Sequence, residues 1–230
     1  MPVDIDHDGD MDLVAGNLGL NNRLIATEEK PVQLYYNDFD GNGRKEQVIT
    51  YYVNEKEIPF ASKSELEKQI PLLKKKFLYA ADFATAVLPD LFGRENLDKA
   101  SVLSASYFAN AVLINKGNLA FETKALPWQV QLTTFKSASV VNANNDDLPD
   151  ILLMGNYYEN PIELGRHDAD FGSILVNKGN GEFGYEKFNG LAIKGQVRQI
   201  GKINISGKES FILAKNNDSL QVIQFTESLK

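Results

Sequence analysis

The stretch Asp4-Ile-Asp-His-Asp-Gly-Asp-Met-Asp12 decides the fold prediction, and its pattern returns in Asp38-Phe-Asp-Gly-Asn-Gly-Arg-Lys-Glu46. In both stretches, side chains that carry oxygen stand at positions 1, 3, 5 and 9, and Gly stands at position 6. Calcium takes roughly six to eight oxygen ligands, and alternate residues of a tight turn can direct several carboxylates towards one ion. Glycine permits the sharp turn because it tolerates positive φ. The two stretches therefore predict calcium-binding loops.

Two further stretches repeat the spacing with fewer acids. Asn142 to Asp150 offers only two carboxylates at the ligand positions, Asp146 and Asp150, and has Asp147 in place of the glycine, so we expect it to bind weakly or not at all. Lys202 to Ser210 has no carboxylate at the ligand positions and reads as a vestigial loop. At position 7 a main-chain carbonyl is the expected ligand, so the side chain there is free to vary. The predicted ligands are Asp4, Asp6, Asp8, Asp10 and Asp12; Asp38, Asp40, Asn42, Arg44 and Glu46; and Asn142, Asn144, Asp146, Leu148 and Asp150.

These loops are not EF-hands, although they open in the same way. An EF-hand needs a Glu at position 12 and a helix on each side. Position 12 is Ala15 in the first loop and Ile49 in the second, and a strand-like apolar run follows each loop. The ligand set therefore ends at position 9 and leads directly into a strand. With ligands of oxygen only, Ca²⁺ is the expected ion.

Internal repetition gives the fold class. Val112-Leu-Ile-Asn-Lys-Gly-Asn118 recurs as Ile174-Leu-Val-Asn-Lys-Gly-Asn180, an offset of 62 residues. The repeat contains a strand, an acidic loop, a strand and an Asn-Lys-Gly-Asn hairpin, which is typical of a four-stranded propeller blade. We therefore predict an all-β chain, a partial β-propeller over residues 1–230. Predicted strands include Val32–Asn37, Gln47–Val53, Ser137–Val141, Ile151–Met154, Ser173–Val176, Phe211–Leu213 and Leu220–Phe225.

A helical insertion is predicted over residues 60–100, where the distance between acidic loops exceeds the repeat length. Ser64 and Glu67 have the spacing of a capping box at a helix start. Pro71 should divide the first helix, and a second is predicted over Ala80 to Leu88, ended by the proline that follows. One face of the first helix is apolar, comprising Leu66, Ile70, Leu73 and Phe77.

Composition excludes several classes of protein. A net charge of -7 argues against a nucleic-acid surface, which needs a basic stripe along the phosphates. The absence of cysteine excludes disulfides, zinc–thiolate sites and thiol catalysis. No apolar run approaches the roughly 18 residues of a membrane-spanning helix, so we expect no membrane insertion.

The N-terminus has no signal-peptide pattern, and the first loop begins at Asp4 with almost no strand before it. We therefore expect the chain to be a fragment that starts inside a repeat.

Catalytic motifs are absent from the sequence, and we expect no enzyme. His7 lies at a non-ligand position of the first loop and should face solvent. His167 lies in the polar stretch Glu163 to Asp170, which forms either a hydrogen-bonded turn or a site for a substrate or a second cation. Four aromatic residues either pack between blades or stack on sugars: Trp128, Tyr157, Tyr158 and Phe171.

The run Asp-x-Asp-x-Asp-Gly-x-x-Asp-Leu-Val, which begins at Asp4, resembles the FG-GAP/VCBS repeats of integrin-like β-propellers. Nearly the whole chain is similar to the C-terminal part of secreted VCBS-repeat proteins of Bacteroidetes, of the ASPIC/UnbV type found in cartilage acidic proteins. The sequence departs from this pattern, since we identify in it no export signal, no ASPIC/UnbV region and fewer repeats than a closed ring is expected to need. The stretches that carry this similarity are Gly16–Asn22, Tyr36–Gly43, Glu163–Asp168, Lys194–Arg198 and Asn216–Gln221.

The resemblance implies a propeller exported to the cell surface, the outer-membrane surface or the periplasm, with calcium in its loops and no established catalysis. The leading hypothesis is a non-catalytic extracellular binding or scaffold module with structural calcium and an unknown protein or glycan partner. One alternative is a carbohydrate-active enzyme, a polysaccharide hydrolase or lyase. The other is a purely structural segment that completes a larger propeller. An exposed blade edge could also drive dimerisation.

Overall fold

A computed structural model describes residues 1–188 and 191–225 of the chain. Within these residues the chain is mostly β, with four antiparallel sheets and a group of short helices. It divides into two compact units, one formed by Met1–Asn22 with Ala109–Lys230 and the other by Arg23–Phe108. The all-β prediction is therefore confirmed at the level of fold class.

The strands and helices follow one another in this order: β1 Pro2–Val3, β2 Asp12–Ala15, β3 Val32–Asn37, β4 Glu46–Val53, β5 Lys56–Pro59, α1 Lys63–Gln69, α2 Leu72–Lys76, α3 Ala80–Thr85, α4 Leu88–Phe92, α5 Arg94–Asp98, β6 Ser101–Ala105, β7 Ala111–Asn115, β8 Phe121–Ala125, a 3₁₀ turn Trp128–Gln131, β9 Phe135–Val141, β10 Asp150–Gly155, β11 Ser173–Asn177, β12 Phe183–Lys187, β13 Val197–Ile205, β14 Lys208–Lys215 and β15 Gln221–Ile223. The predicted strands are all present, and Val32–Asn37 has the predicted bounds.

The first unit contains three antiparallel sheets, each with its strands in meander order. The first sheet has the order β1-β2-β7-β8, the central sheet β9-β10-β11-β12 and the third sheet β13-β14-β15. In the first sheet, β2 pairs with β7 through Val14 and Val112, so the whole second unit lies between these two strands in the sequence. The first sheet is thus interrupted in the sequence by residues 23–108, a longer segment than the predicted helical insertion over 60–100.

The central sheet is buried on both faces, as β10 shows. Every residue of β10 is buried, and successive side chains point to opposite faces of a sheet. Ile151 and Leu153 join a cluster with residues of the first sheet, whereas Leu152 and Met154 join a cluster with residues of the third sheet. Burying one such side chain contributes about 1.5–3 kcal/mol. The three sheets therefore stack face to face around two apolar layers.

The second unit is one sheet with the order β5-β4-β3-β6, and its helices lie in the sequence between β5 and β6. The predicted apolar face of the first helix is buried against Phe39 and Val48 and against the later helices. Residue by residue, the exposed fractions are 0% for Leu66, 2% for Ile70, 2% for Leu73 and 8% for Phe77. Helices α1 to α5 lie within residues 60–100, where the helical insertion is predicted.

The first helix begins earlier than predicted. Its capping box is formed by Ser62 and Glu65, whose backbone N–H donates to Ser62 Oγ at 3.4 Å while Ser62 N–H donates to the Glu65 carboxylate at 2.8 Å. The predicted pair, Ser64 and Glu67, lies inside α1, because the same spacing occurs twice and only the first copy precedes the helix. Pro71 separates α1 from α2, as predicted.

The predicted helix over Ala80 to Leu88 is wrong in its second half. Helix α3 ends at Thr85, and Pro89 lies in the first turn of the next helix instead of ending one. A first turn leaves its N–H groups without intrahelical partners, so proline costs nothing there. None of the helices in the described part of the chain has the length and hydrophobicity needed to cross a lipid bilayer.

Candidate metal centre

Each of the three acidic stretches joins two adjacent antiparallel strands: β1 to β2, β3 to β4, and β9 to β10. All three have the same internal turn, in which the side-chain oxygen at position 5 accepts a hydrogen bond from the backbone N–H at position 7. The nitrogen–oxygen distances are 2.8 Å for Asp10 to Asp8, 2.8 Å for Arg44 to Asn42 and 2.9 Å for Leu148 to Asp146. The turn geometry follows from the sequence pattern in all three copies.

Position 4 is left-handed in every loop, which the pattern did not predict. His7 has φ of 59°, Gly41 of 73° and Asn145 of 61°. Glycine and asparagine tolerate the left-handed region of backbone conformation. Gly41 and Asn145 were therefore the residues from which this conformation could have been predicted. Position 6 is left-handed at Gly9 and Gly43. His7 is exposed, as predicted.

The first loop brings three carboxylates together. One oxygen from each of Asp4, Asp6 and Asp8 lies within 4.8 Å of the others. Asp4 Oδ1 and Asp6 Oδ1 are shielded from solvent, and neither has a hydrogen-bond partner among the described residues. A shielded carboxylate oxygen without a donor is costly unless a cation compensates its charge. The residues present therefore fit a hard divalent cation, with Asp4, Asp6 and Asp8 as the side chains that would hold it.

The second loop forms a similar group from Asp38, Asp40 and Glu46, whose oxygens also lie within 4.8 Å of one another. Burial raises the pKa of Glu46, and the charges of Asp40 and Asp38 raise it further, against a hydrogen bond from Phe39 N–H that lowers it. That hydrogen bond is 2.8 Å long and reaches Glu46 Oε2. The loop contains Arg44 and Lys45, but among the described residues no Lys or Arg lies within 4.0 Å of these three carboxylates. A cation would supply the missing positive charge.

The side chain at position 9 was predicted as a metal ligand, but its carboxylate accepts hydrogen bonds from backbone N–H groups. Asp12 is fully buried; its Oδ2 accepts from Ile5 N–H at 2.8 Å and its Oδ1 accepts from Asn115 N–H at 2.7 Å. It therefore ties its own loop to β7, and the first-loop carboxylate group does not include it. In the third loop Asp150 repeats the arrangement with Ala143 N–H and Asn177 N–H, both at 2.8 Å.

The third loop satisfies its carboxylate from within. Asn144 Nδ2 donates to Asp146 Oδ2 at 2.6 Å, and Asn142 Nδ2 donates to the Asp146 carbonyl at 3.1 Å. The Asn144 amide thus gives the Asp146 carboxylate the positive partner that a cation would otherwise supply. Position 6, Asp147, is not left-handed, in contrast to the glycines of the first two loops. These contacts agree with the expectation of weak binding or none.

The fourth copy is not a loop. Strands β13 and β14 extend through it and meet at Ser206 and Gly207, which have φ of 53° and 81°. Lys202, at position 1, forms an ion pair with Glu209 at 2.8 Å. The expectation of a vestigial copy agrees with this hairpin.

The polar stretch around His167 is held by hydrogen bonds, although His167 Nε2 is shielded from solvent and has no hydrogen-bond partner among the described residues. His167 is 4% exposed, its Nδ1 lies 2.8 Å from Thr134 Oγ1, and its backbone pairs with Tyr157. Burial lowers the pKa of the imidazole, against the charge of Asp168. Asp170 is buried, and its carboxylate accepts hydrogen bonds from Gly155 N–H, Gly172 N–H and Ser173 Oγ. Of the four predicted aromatics, Trp128 and Phe171 are exposed, and Tyr157 and Tyr158 are half-buried.

Comparison with known proteins gave no match: no protein-family model, no curated protein and no solved structure is similar to the chain. Inference about its function therefore depends on the loop geometry and on the side chains described above.

Proposed function

We propose that this chain is a calcium-stabilised, non-catalytic binding or scaffold module built from propeller-type sheets. The observation that carries the proposal is the pair of shielded, unpartnered oxygens in the first loop, Asp4 Oδ1 and Asp6 Oδ1. One oxygen from each of Asp4, Asp6 and Asp8 also lies within 4.8 Å of the others, a separation that a calcium ion bridges, since calcium–oxygen distances are about 2.3–2.6 Å. The second loop supports the same role with Asp38, Asp40 and Glu46.

Propeller architecture is supported by the order and stacking of the sheets. The central sheet is a four-stranded meander, and the first sheet has the same order once the inserted unit is set aside. Blades of a propeller are four-stranded sheets that pack face to face, as these sheets do around their two apolar layers. This arrangement agrees with the resemblance to FG-GAP/VCBS repeats and, through it, with a place outside the cell, where calcium is abundant.

Calcium has a structural role in this proposal. An ion that binds only the folded state stabilises it by about 2.7 kcal/mol at a hundred times its dissociation constant. Both loops join adjacent strands, so an ion in either loop would hold a strand pair together. This role does not require a catalytic carboxylic acid with a raised pKa. The calcium-bound module would present its remaining surface to a protein or glycan partner.

Calcium stoichiometry tests the proposal. Isothermal titration of the chelator-treated protein should give two ions per chain, one for each loop with a three-carboxylate group. Asp6→Asn and Asp40→Asn should each remove one ion. Asp10→Asn is the matched control, because Asp10 stands in the first loop at a position where only its carbonyl is a predicted ligand. The absence of calcium binding, or a stoichiometry unchanged by both variants, would contradict the proposal.

A further inference from the structure

A polar pocket of about 470 Å³ lies at the ends of β10 and β14 that are remote from the third loop and from the fourth copy. Three separate chain segments build it: the one after β10, the one before β13 and the one after β14. Small-molecule sites commonly have volumes of about 300–1,000 Å³. Its lining residues are Tyr158, Glu159, Arg166, Gly195, Gln196, Asn216, Asn217 and Asp218.

Glu159 is the centre of a fixed network in this pocket. Its carboxylate accepts from Gln196 Nε2 at 3.1 Å, from Arg198 Nη2 at 3.0 Å and from Asn216 Nδ2 at 2.6 Å. The Gln196 hydrogen bond is the largest of the effects that lower the pKa of Glu159. Gln196 is 4% exposed, and its Oε1 accepts from Tyr158 N–H at 3.0 Å. One side of the pocket is therefore held in place before any ligand arrives.

Arg166 and Tyr158 form the other side. The Arg166 guanidinium lies 3.9 Å from the centre of the Tyr158 ring, a cation–π contact, while the rest of the Arg166 side chain is exposed. Within the described residues, no carboxylate lies within 4.0 Å of this guanidinium. Its N–H donors thus remain available to a ligand, in a fixed plane.

We propose that this pocket binds a neutral saccharide. Its charges nearly cancel, because Glu159 is paired with Arg198, Asp218 lies 3.9 Å from Lys215, and Arg166 adds one positive charge. The amide groups of Asn216 and Asn217 add donors and acceptors side by side, the combination that neighbouring hydroxyl groups require. Because most of the lining side chains are polar, an apolar ligand is disfavoured.

A neutral saccharide would be the ligand of the binding module proposed above. The inference rests on that proposal in one respect, namely that the module binds its ligand without catalysis. No lining residue belongs to an acidic loop. Saccharide binding and calcium binding are therefore separable by mutation.

The test is titration of the intact chain, in calcium, with neutral tetrasaccharides of the gluco-, manno-, galacto- and xylo- series. Polygalacturonate fragments serve as the anionic comparison. We expect at least one neutral series to bind, with affinity reduced about tenfold or more by Arg166→Ala and by Glu159→Gln. Arg94→Ala is the matched control, an exposed arginine outside the pocket, and should leave the affinity unchanged.

Calcium-dependent melting of each variant shows whether it is folded and separates the two proposals. Unchanged melting with lost saccharide affinity supports the pocket. Three results would overturn the inference: the chain binds polygalacturonate alone, it binds no saccharide, or it binds a neutral saccharide with equal affinity in all variants. None of these three results affects the calcium proposal, which is tested separately by the calcium titration of wild type, Asp6→Asn and Asp40→Asn.

Discussion

Neutralising one acid of the first loop should abolish the stabilisation that calcium gives to that loop. The change is Asp6→Asn, which keeps the size of the side chain and removes one of three charges. Asp6 Oδ1 is shielded, and it has no hydrogen-bond partner among the described residues. The substitution therefore removes a ligand charge without breaking a described hydrogen bond at that oxygen.

The size of the effect follows from the spacing of the charges. Two unit charges separated by 4.8 Å, the limit of the first group, repel by about 0.9 kcal/mol at the dielectric constant of water. Three such pairs cost about 3 kcal/mol, which a divalent cation removes. Saturating calcium at a hundred times its dissociation constant contributes about 2.7 kcal/mol, a comparable amount. For a chain of this size, that corresponds to a rise in melting temperature of about 5–10 °C.

Thermal unfolding followed by circular dichroism checks the prediction, first in EGTA and then with calcium or magnesium added. Wild type and Asp10→Asn should show the full calcium-specific rise, whereas Asp6→Asn should lose the part due to the first loop. In EGTA, Asp6→Asn should melt at or above the wild-type temperature, because it relieves repulsion. An equal calcium response in all three proteins, or none in any, would refute the reasoning.

Two other predictions concern buried carboxylates outside the ion groups. Asp150→Asn should lower the free energy of unfolding, measured in urea, by about 2–3 kcal/mol with or without calcium. The reason is that Ala143 N–H or Asn177 N–H would then face an amide N–H in place of a carboxylate oxygen. Asp147→Asn, at an exposed position, is its control. Burial raises the pKa of Asp170 to about 6, from an ordinary 3.8, so the folded state binds this proton more tightly than the unfolded state. The contribution of Asp170 to the free energy of unfolding should therefore fall by about 3 kcal/mol as pH rises from about 4 to about 6 and stay constant above. Urea unfolding of wild type and Asp170→Asn across this pH range checks the prediction, because the difference between their free energies of unfolding should change by this amount. Parallel pH profiles of the two proteins would contradict it.

Local chemistry explains which features were predictable from sequence. The strand over Val32–Asn37 and the loop turns were foreseen because β-branched runs, aspartates and glycines determine short-range geometry by themselves. The buried face of α1 was foreseen because its apolar spacing matches a helical turn. The start of that helix was misplaced because Ser62 and Ser64 both precede a glutamate by three residues, and spacing alone does not rank them.

Features that depend on distant partners were not predictable. The hydrogen bond between Asp12 and Asn115 joins residues 103 positions apart, so nothing near Asp12 signals its clamping role. The extent of the interruption was missed for the same reason, since the repeat resumes only where β7 pairs with β2. The pocket around Glu159 was not predicted, because its residues belong to three segments that the fold brings together.

The interruption of the first sheet has a consequence for the order of folding during synthesis. Val14 and its partner Val112 are separated by 98 positions, and ribosomes add about 5–20 residues per second. The edge of β2 therefore waits about 5–20 s for β7 to be made. Through that interval the nascent hairpin of β1 and β2 exposes unpaired backbone groups, a known risk for misassembly. An ion captured early by the loop between these two strands would keep the hairpin closed until its partner emerges.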